Sequence, residues 1–374
     1  MSTTDPDFVD HLILDGTKVG WYPERIAAWQ RGERIAPITM DVAWTRKCNA
    51  ACSFCYASLQ ASEGEDPITL PIAKDFLRDA AEIGVKGVSL ISDGESTVVP
   101  WYEESIEYAA SVGLAVGIST NGVRLKRPLL ERILPHLSYL RFNFSAGDLD
   151  RYKQIMGLKE RDYYQVIQNV KDAMEIKWTR ELSVNINMQM VTMPEFHDQI
   201  LPLARLARKL RPDYLIYKHC ADNVEGMLGV DYTKYDKLYP AFKEAEAMAE
   251  PGFRVVVKWS RIVDEGKRSY QRCYGPPFII QMSGNGLIAP CGFLFNEKYK
   301  KFHIGNVCKT RFKDIWASDR YWEVVRYLAS PEFNAQTHCG PNCLQHNTNI
   351  FLDKFVKGEV RLPITPAPEH IAFI

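Results

Sequence analysis

Hydrophobic positions along this chain switch repeatedly between a period of two and a period near 3.6. Ile38–Ala43 alternates and predicts a strand. Ala73, Phe76, Leu77, Ala80 and Ile83 share one helical face, with Thr69 as the expected N-cap and Gly84 as the expected stop. Val85–Ile91 predicts a buried strand. The rhythm continues with a helix over Pro100–Val112, a strand over Leu114–Ile118, a helix over Arg127–Leu134 and a strand over Tyr139–Phe144. Helix Tyr163–Ile176, strand Leu182–Val191, helix Phe196–Lys209 and strand Tyr214–Lys218 follow. Strands that alternate with helices imply parallel βαβ units. Six predicted strands precede residue 220, fewer than a closed eight-stranded barrel needs. The expected fold class is therefore α/β, a partial (β/α)6 barrel or an open sheet.

The flanks differ. Residues 1–36 read as a leader segment with a short helix over Pro23–Arg31. A helix over Tyr235–Met248 and a strand over Phe253–Lys258 close the repeating part. Beyond Arg268 the rhythm stops, and cysteine, glycine and aromatic residues rise. The expected organisation is a leader over 1–36, a barrel over 37–265 and a C-terminal module over 266–374.

Lys+Arg and Asp+Glu both number 46, so the basic excess expected of a nucleic-acid partner is missing. No apolar stretch nears 18 residues, so no membrane span is expected. Met1–Asp10 is polar and acidic, unlike a signal peptide, and a cytoplasmic location is the expectation. In a reducing compartment the nine cysteines should be thiols or metal ligands.

Three of them, Cys48, Cys52 and Cys55, follow directly on the first predicted strand. Three thiolates can hold three irons of a [4Fe–4S] cube and leave the fourth iron open for a substrate or cofactor. Barrels place their chemistry at such strand ends. A zinc site would need a fourth donor, and no Cys or His lies between residues 56 and 135.

C-x3-C-x2-C after the first strand of a βα barrel resembles the radical S-adenosylmethionine (radical SAM) superfamily. The resemblance implies an open iron chelated by the cofactor's methionine and reductive cleavage to a 5′-deoxyadenosyl radical. It places Phe54 near the adenine. Ser92-Asp93-Gly94-Glu95 resembles the Gly-Gly-Glu segment that binds the methionyl amino group, with Asp93 in place of the first Gly. Ser119 and Asn121, in Ser119-Thr120-Asn121-Gly122, resemble a ribose- or substrate-lining turn. Ser145 is implied to face the carboxylate or ribose, and Asn185 or Asn187 to lie near the cofactor. Each alone reads as a turn or cap residue; their recurrence after successive strands is the signal.

Later, Cys273, Gly286-Leu-Ile-Ala-Pro-Cys291, Gly305-Asn306-Val307, Asp314-Ile315-Trp316 and Cys339-Gly-Pro-Asn-Cys343 follow in order. This order resembles the auxiliary-cluster extension called SPASM, or its shorter twitch form. The resemblance implies a second [4Fe–4S] cluster on Cys273, Cys291, Cys339 and Cys343. A full SPASM extension carries more cysteines, which favours the twitch form. Cys308 could replace one of the four, His338 and His346 flank the last pair, and a zinc ribbon is the alternative for this half.

Tyr217-Lys218-His219-Cys220 ends the sixth predicted strand. Lys218 or His219 could take a proton from substrate or hold a phosphate or carboxylate. Cys220 could donate a hydrogen atom to a substrate radical. Arg141, Arg151 and Tyr152 are weaker candidates for anion contacts. Ordinary packing is the plain alternative for all of these. Only 47 residues precede Cys48, few for a peptide-binding domain. The leading expectation is a radical oxidoreductase acting on a small polar metabolite such as a sugar, aminocyclitol or nucleotide sugar. It would be served by a reductant such as flavodoxin or ferredoxin. A peptide- or protein-modifying maturase and a zinc-stabilised binding protein without catalysis are the alternatives.

Overall fold

A computed structural model describes residues 13–14, 16–60, 67–341 and 343–374. The segment Met1–Asp10 lies outside the described residues. The strands are β1 (Thr39–Val42), β2 (Gly87–Leu90), β3 (Ala115–Thr120), β4 (Tyr139–Asn143) and β5 (Asn185–Thr192). They continue with β6 (Tyr214–His219), β7 (Arg254–Val257), β8 (Ile279–Met282), β9 (Leu287–Ala289) and β10 (Gly305–Asn306). All lie in one sheet of order β10-β9-β8-β1-β2-β3-β4-β5-β6-β7. From β1 to β7 each strand pairs in parallel with the next. The two ends of this order are not paired to each other, so the barrel is partial.

Helices cover the outer face because their apolar stripes fit it. Leu70–Ile83 buries Ala73, Phe76, Leu77 and Ala80, and Gly84 ends it with φ +103°, a conformation glycine adopts without a Cβ penalty. Thr69 stands at the N-cap position, but its side chain makes no cap bond. Helix Leu149–Met156 escaped the pattern because it is short and lies directly before the longer Glu160–Thr179. The helix expected over Tyr235–Met248 divides into a 3-10 segment, Tyr232–Leu238, and a helix, Tyr239–Glu246, that has a proline in its first turn.

The boundary placed at 265/266 falls between β7 and β8, and the sheet continues across it. β8 pairs in parallel with β1, Asp41 opposite Gln281. β9 and β10 add antiparallel strands beyond. On the outer face, the fully buried Asp79 of helix Leu70–Ile83 accepts from Arg311 Nε (2.9 Å) and from Lys313 N (3.4 Å). At the N-terminal end of the strands, residues 370–374 cross under the barrel. Lys18 Nζ donates to His370 O (3.0 Å), Tyr22 OH to Ile371 O (3.0 Å) and Thr39 Oγ1 to Ala372 O (2.8 Å). Phe373 meets Tyr139 edge to face.

Candidate active site

The loop after β1 carries Cys48, Cys52 and Cys55 at the C-terminal end of the strands. It is seated on helix Leu149–Met156: Ala51 N donates to Met156 O (3.2 Å) and Ser53 N to Ile155 O (2.9 Å). Gly157 permits this seat, since a Cβ there would lie 2.5 Å from Ala51 O. Cys48 is exposed, and Cys52 and Cys55 are half-buried. Burial first, then the neighbouring Cys55 and Cys48, pushes the Cys52 thiol well up; burial does the same, less strongly, for Cys48. Thiols that raise one another in this way gain from a shared cationic centre, which fits an iron–sulfur ligand set. Among the described residues no three Cys, His, Asp or Glu side chains close around a single-ion site.

The segment after β2 locks this loop. Glu95 N donates to Lys47 O (2.9 Å). The buried Glu95 carboxylate accepts from Thr97 Oγ1 (2.7 Å), Thr120 Oγ1 (2.8 Å) and Asn121 N (2.8 Å). Burial raises its pKa and these donors oppose the rise. Asn121 Nδ2 in turn donates to Asn49 Oδ1 (2.7 Å), inside the thiol loop. Asp93, in place of the first Gly of the motif, is anchored across the sheet. Its carboxylate accepts from Ser283 Oγ (2.6 Å) and Gly284 N (2.8 Å), beyond β8. Gly94 and Gly284 flank the backbone of Thr45–Arg46; a Cβ on either would come within 2.1 Å of it.

One cavity of about 360 Å³ runs from this loop down the barrel. Cys48, Cys52, Phe54, Cys55, Asp93, Gly94, Glu95, Ser119 and Asn121 line its mouth, so these expected cofactor neighbours do converge. Other expected residues do not. Ser145 is fully buried and accepts from Val191 N (3.2 Å), tying β4 to β5. Asn185 is the first residue of β5 and therefore lies at the opposite end of the barrel, where it donates to Glu369 Oε2 (3.3 Å). Asn187 is buried and accepts from Arg141 Nε (3.1 Å). Cys220 is turned under the thiol loop, its Sγ 3.6 Å from Phe54 O, and the cavity is lined by His219 and Ala221 on either side of it. Burial pushes the Cys220 thiol up to about 12. Arg151 pairs with Asp198 at 2.7 Å on the surface, and Tyr152 is a core residue.

Lys218 and His219 face the cavity. Burial, then Arg141 and Arg261, lowers Lys218 to about 8. Burial holds His219 well below the usual range, so it is neutral. Asp41, raised to about 6 by burial, accepts from Gln281 Nε2 (2.9 Å). The hydrophobic pattern passes over Asp41 and Gln281. Their signal is a charged or amide residue at an inward position of a buried strand.

The late cysteines gather as expected: Cys273, Cys291, Cys339 and Cys343 line one enclosed site. Burial and mutual proximity raise Cys273 and Cys291 strongly, and Cys339 to about 12. Cys308 is not among the lining residues; its Sγ lies 3.8 Å from Asn285 O, beside the turn between β8 and β9. Asn349, fully buried, directs Nδ2 toward Cys273 Sγ (3.7 Å) and Cys343 Sγ (3.8 Å). Both ring nitrogens of His346 are engaged, Nε2 with Asp264 Oδ2 (2.6 Å) and Nδ1 with Tyr270 OH (3.2 Å).

The family described as "Radical SAM superfamily" matches residues 42–207, and the one described as "Iron-sulfur cluster-binding domain", SPASM, matches residues 273–344. The chain carries a radical SAM domain followed by a SPASM domain. Its cofactors are accordingly S-adenosylmethionine, a [4Fe–4S] cluster and auxiliary iron–sulfur ligation. Similar proteins include an AdoMet-dependent heme synthase of Methanosarcina barkeri, 22% identical over 316 residues, 78% of this chain and 85% of the relative. Mycofactocin maturase MftC of Mycobacterium tuberculosis is 34% identical over 113 residues, 30% of this chain and 28% of the relative. Among solved structures, Streptococcus suis SuiB bound to S-adenosylmethionine superposes with a TM-score of 0.63 at 17% identity. It covers 82% of this radical SAM chain and 72% of SuiB. SuiB has also been solved bound to precursor peptide SuiA. No helix among the described residues is long and apolar enough to cross a membrane.

Proposed function

We propose that this radical SAM protein modifies a peptide or protein side chain. Two resemblances carry the reading: a stretch of 113 residues is 34% identical to a maturase, and the fold is shared with a neighbour solved bound to a precursor peptide. This reverses the order expected from charge and from the chain ahead of Cys48, which favoured a sugar-like metabolite.

Cys48, Cys52 and Cys55 would hold the first cluster, and Phe54, Gly94, Ser119 and Asn121 would surround the cofactor at the mouth. Cys273, Cys291, Cys339 and Cys343 would hold the auxiliary cluster. When bound, the first cluster and S-adenosylmethionine supply a 5′-deoxyadenosyl radical for hydrogen-atom abstraction. The chain's own residues set where that chemistry happens. Glu95 and Asn121 fix the thiol loop against the ends of β2 and β3. Residues 370–374 cover the far end of the barrel and limit water entry to the lumen. Lys218, largely protonated at neutral pH, orients substrate. A reductant such as flavodoxin or ferredoxin would deliver electrons from outside.

Mass spectrometry of peptides and proteins from a host strain with and without the gene tests the reading. The expected result is a peptide whose mass differs by lost hydrogen or a new cross-link only when the gene is present. A change confined to the small-metabolite pool would overturn it.

A further inference from the structure

Below the cofactor mouth, several cationic side chains line the lumen. Lys18, Arg141, Lys218, Lys258 and Arg261 line the cavity, against the carboxylates of Asp41, Asp93 and Glu95. Asp93 and Glu95 sit at the mouth and accept hydrogen bonds from the neighbours described above. Lys18 and Lys258 donate to backbone carbonyls, His370 O and Leu14 O, both at 3.0 Å. Arg261 donates to Cys343 O and Leu344 O, both at 2.8 Å.

Lys218 and Arg141 differ from these. The Lys218 ammonium has no hydrogen bond or ion pair among the described residues. Arg141 forms no ion pair among them either. Its Nε is tied to Asn187 Oδ1 (3.1 Å), and its guanidinium lies over the Tyr139 ring, 5.1 Å from the centroid. That ring has a fixed place. Tyr139 OH donates to Ser89 Oγ (2.9 Å), and Gly117 leaves the room the ring fills, since a Cβ there would lie 2.2 Å from it. The guanidinium is thus stacked and held at one nitrogen, with the remainder of its fork uncommitted. A half-buried ammonium and a half-buried guanidinium that line one cavity repel each other, and an anion held between them relieves that repulsion.

We propose that Lys218 and Arg141 form a built oxyanion site in the lumen that takes a carboxylate or phosphate of the substrate. Arg141 would engage it with the planar fork that suits such groups, and Lys218 as a point charge. Asp41, held by Gln281, lies across the same lumen and would select a partner carrying a donor beside the anion. On the peptide reading proposed above, the anion is an acidic side chain or a chain-terminal carboxylate. The inference rests on that reading only for this detail, because anion binding can be measured whatever the substrate is.

The test uses the reconstituted enzyme with S-adenosylmethionine bound and two probes, [¹³C]acetate and inorganic phosphate, followed by NMR line width. K218M and R141M should each weaken probe binding by about tenfold or more, the loss expected of one charge-assisted contact. The dissociation constant for S-adenosylmethionine should change less than about threefold, under half of that loss in free energy. R141K, which keeps charge and bulk, should recover part of the phosphate binding and guards against misfolding. No probe binding by the parent enzyme, or unchanged binding in both variants, would overturn the proposal. A parallel loss of S-adenosylmethionine affinity would also overturn it, by assigning the site to the cofactor's own carboxylate.

Discussion

The Asp93 carboxylate accepts a hydrogen bond from the Ser283 hydroxyl at 2.6 Å, and its second oxygen accepts from Gly284 N at 2.8 Å. A residue expected at the cofactor thus joins the end of β2 to the turn after β8. It ties the radical SAM core to the start of the SPASM region. Asp93→Gly would restore the more usual residue of the motif. It should nonetheless lower stability by about 1–3 kcal/mol, because buried donors lose their acceptor. Thermal melting measures this; an unchanged midpoint would refute the joint role.

Gly94 and Gly284 approach the Thr45–Arg46 backbone from two sides. Gly284→Ala lies outside the expected cofactor motif, yet it should displace the loop that leads to Cys48. Iron content at the first site and S-adenosylmethionine cleavage should both fall, while the four late cysteines keep their metal. Iron analysis with electron paramagnetic resonance separates the two sites. Overpacking of this kind costs about 1–3 kcal/mol where the backbone can shift.

Replacing Cys48, Cys52 and Cys55 together by Ala should lower iron from about eight to about four atoms per chain, one cube remaining. Cofactor cleavage should be abolished. Cys308→Ala should leave iron content unchanged, since its thiol stands apart from the four-cysteine site.

Asn349 Oδ1 accepts from Tyr274 N (2.6 Å) and Gly275 N (2.9 Å), which fixes the amide so that Nδ2 faces Cys273 and Cys343. Hydrogen bonds to ligand sulfur favour the more negative, reduced cluster. Asn349→Leu should therefore lower the auxiliary midpoint potential at unchanged iron content. A potentiometric titration that finds no shift would refute this.

Anion binding in the lumen should depend on pH. Lys218 faces Arg141, Arg261, Asp41 and Cys220, and its pKa is lowered to about 8. Its charge is present below that value and lost above it, so acetate affinity should fall as pH rises past about 8. Asp41, at about 6, is negative above that value and opposes the anion. Affinity should therefore rise as pH falls through about 6. In K218M the alkaline fall should vanish and the acid-side rise remain.

Much of this protein is written locally. The alternation of strand and helix periods, the thiol triplet after β1 and the four late cysteines are each legible in a few adjacent residues. Backbone periodicity and ligand spacing are short-range properties, so the sequence alone determined the partial barrel and where its chemistry gathers. What faces what was decided by tertiary structure. Parallel register placed Asn185 at the far end of β5, away from the mouth. It also set Arg141 beside Asn187 and Asp41 opposite Gln281. The seating of the thiol loop turned Cys220 beneath it, and the β8 turn claimed Asp93. These outcomes depend on strand pairing between residues tens to hundreds of positions apart, which no local pattern encodes. The cation-lined lumen is the sum of such pairings: each inward residue is visible singly, but only the curved, partial barrel brings them to one cavity.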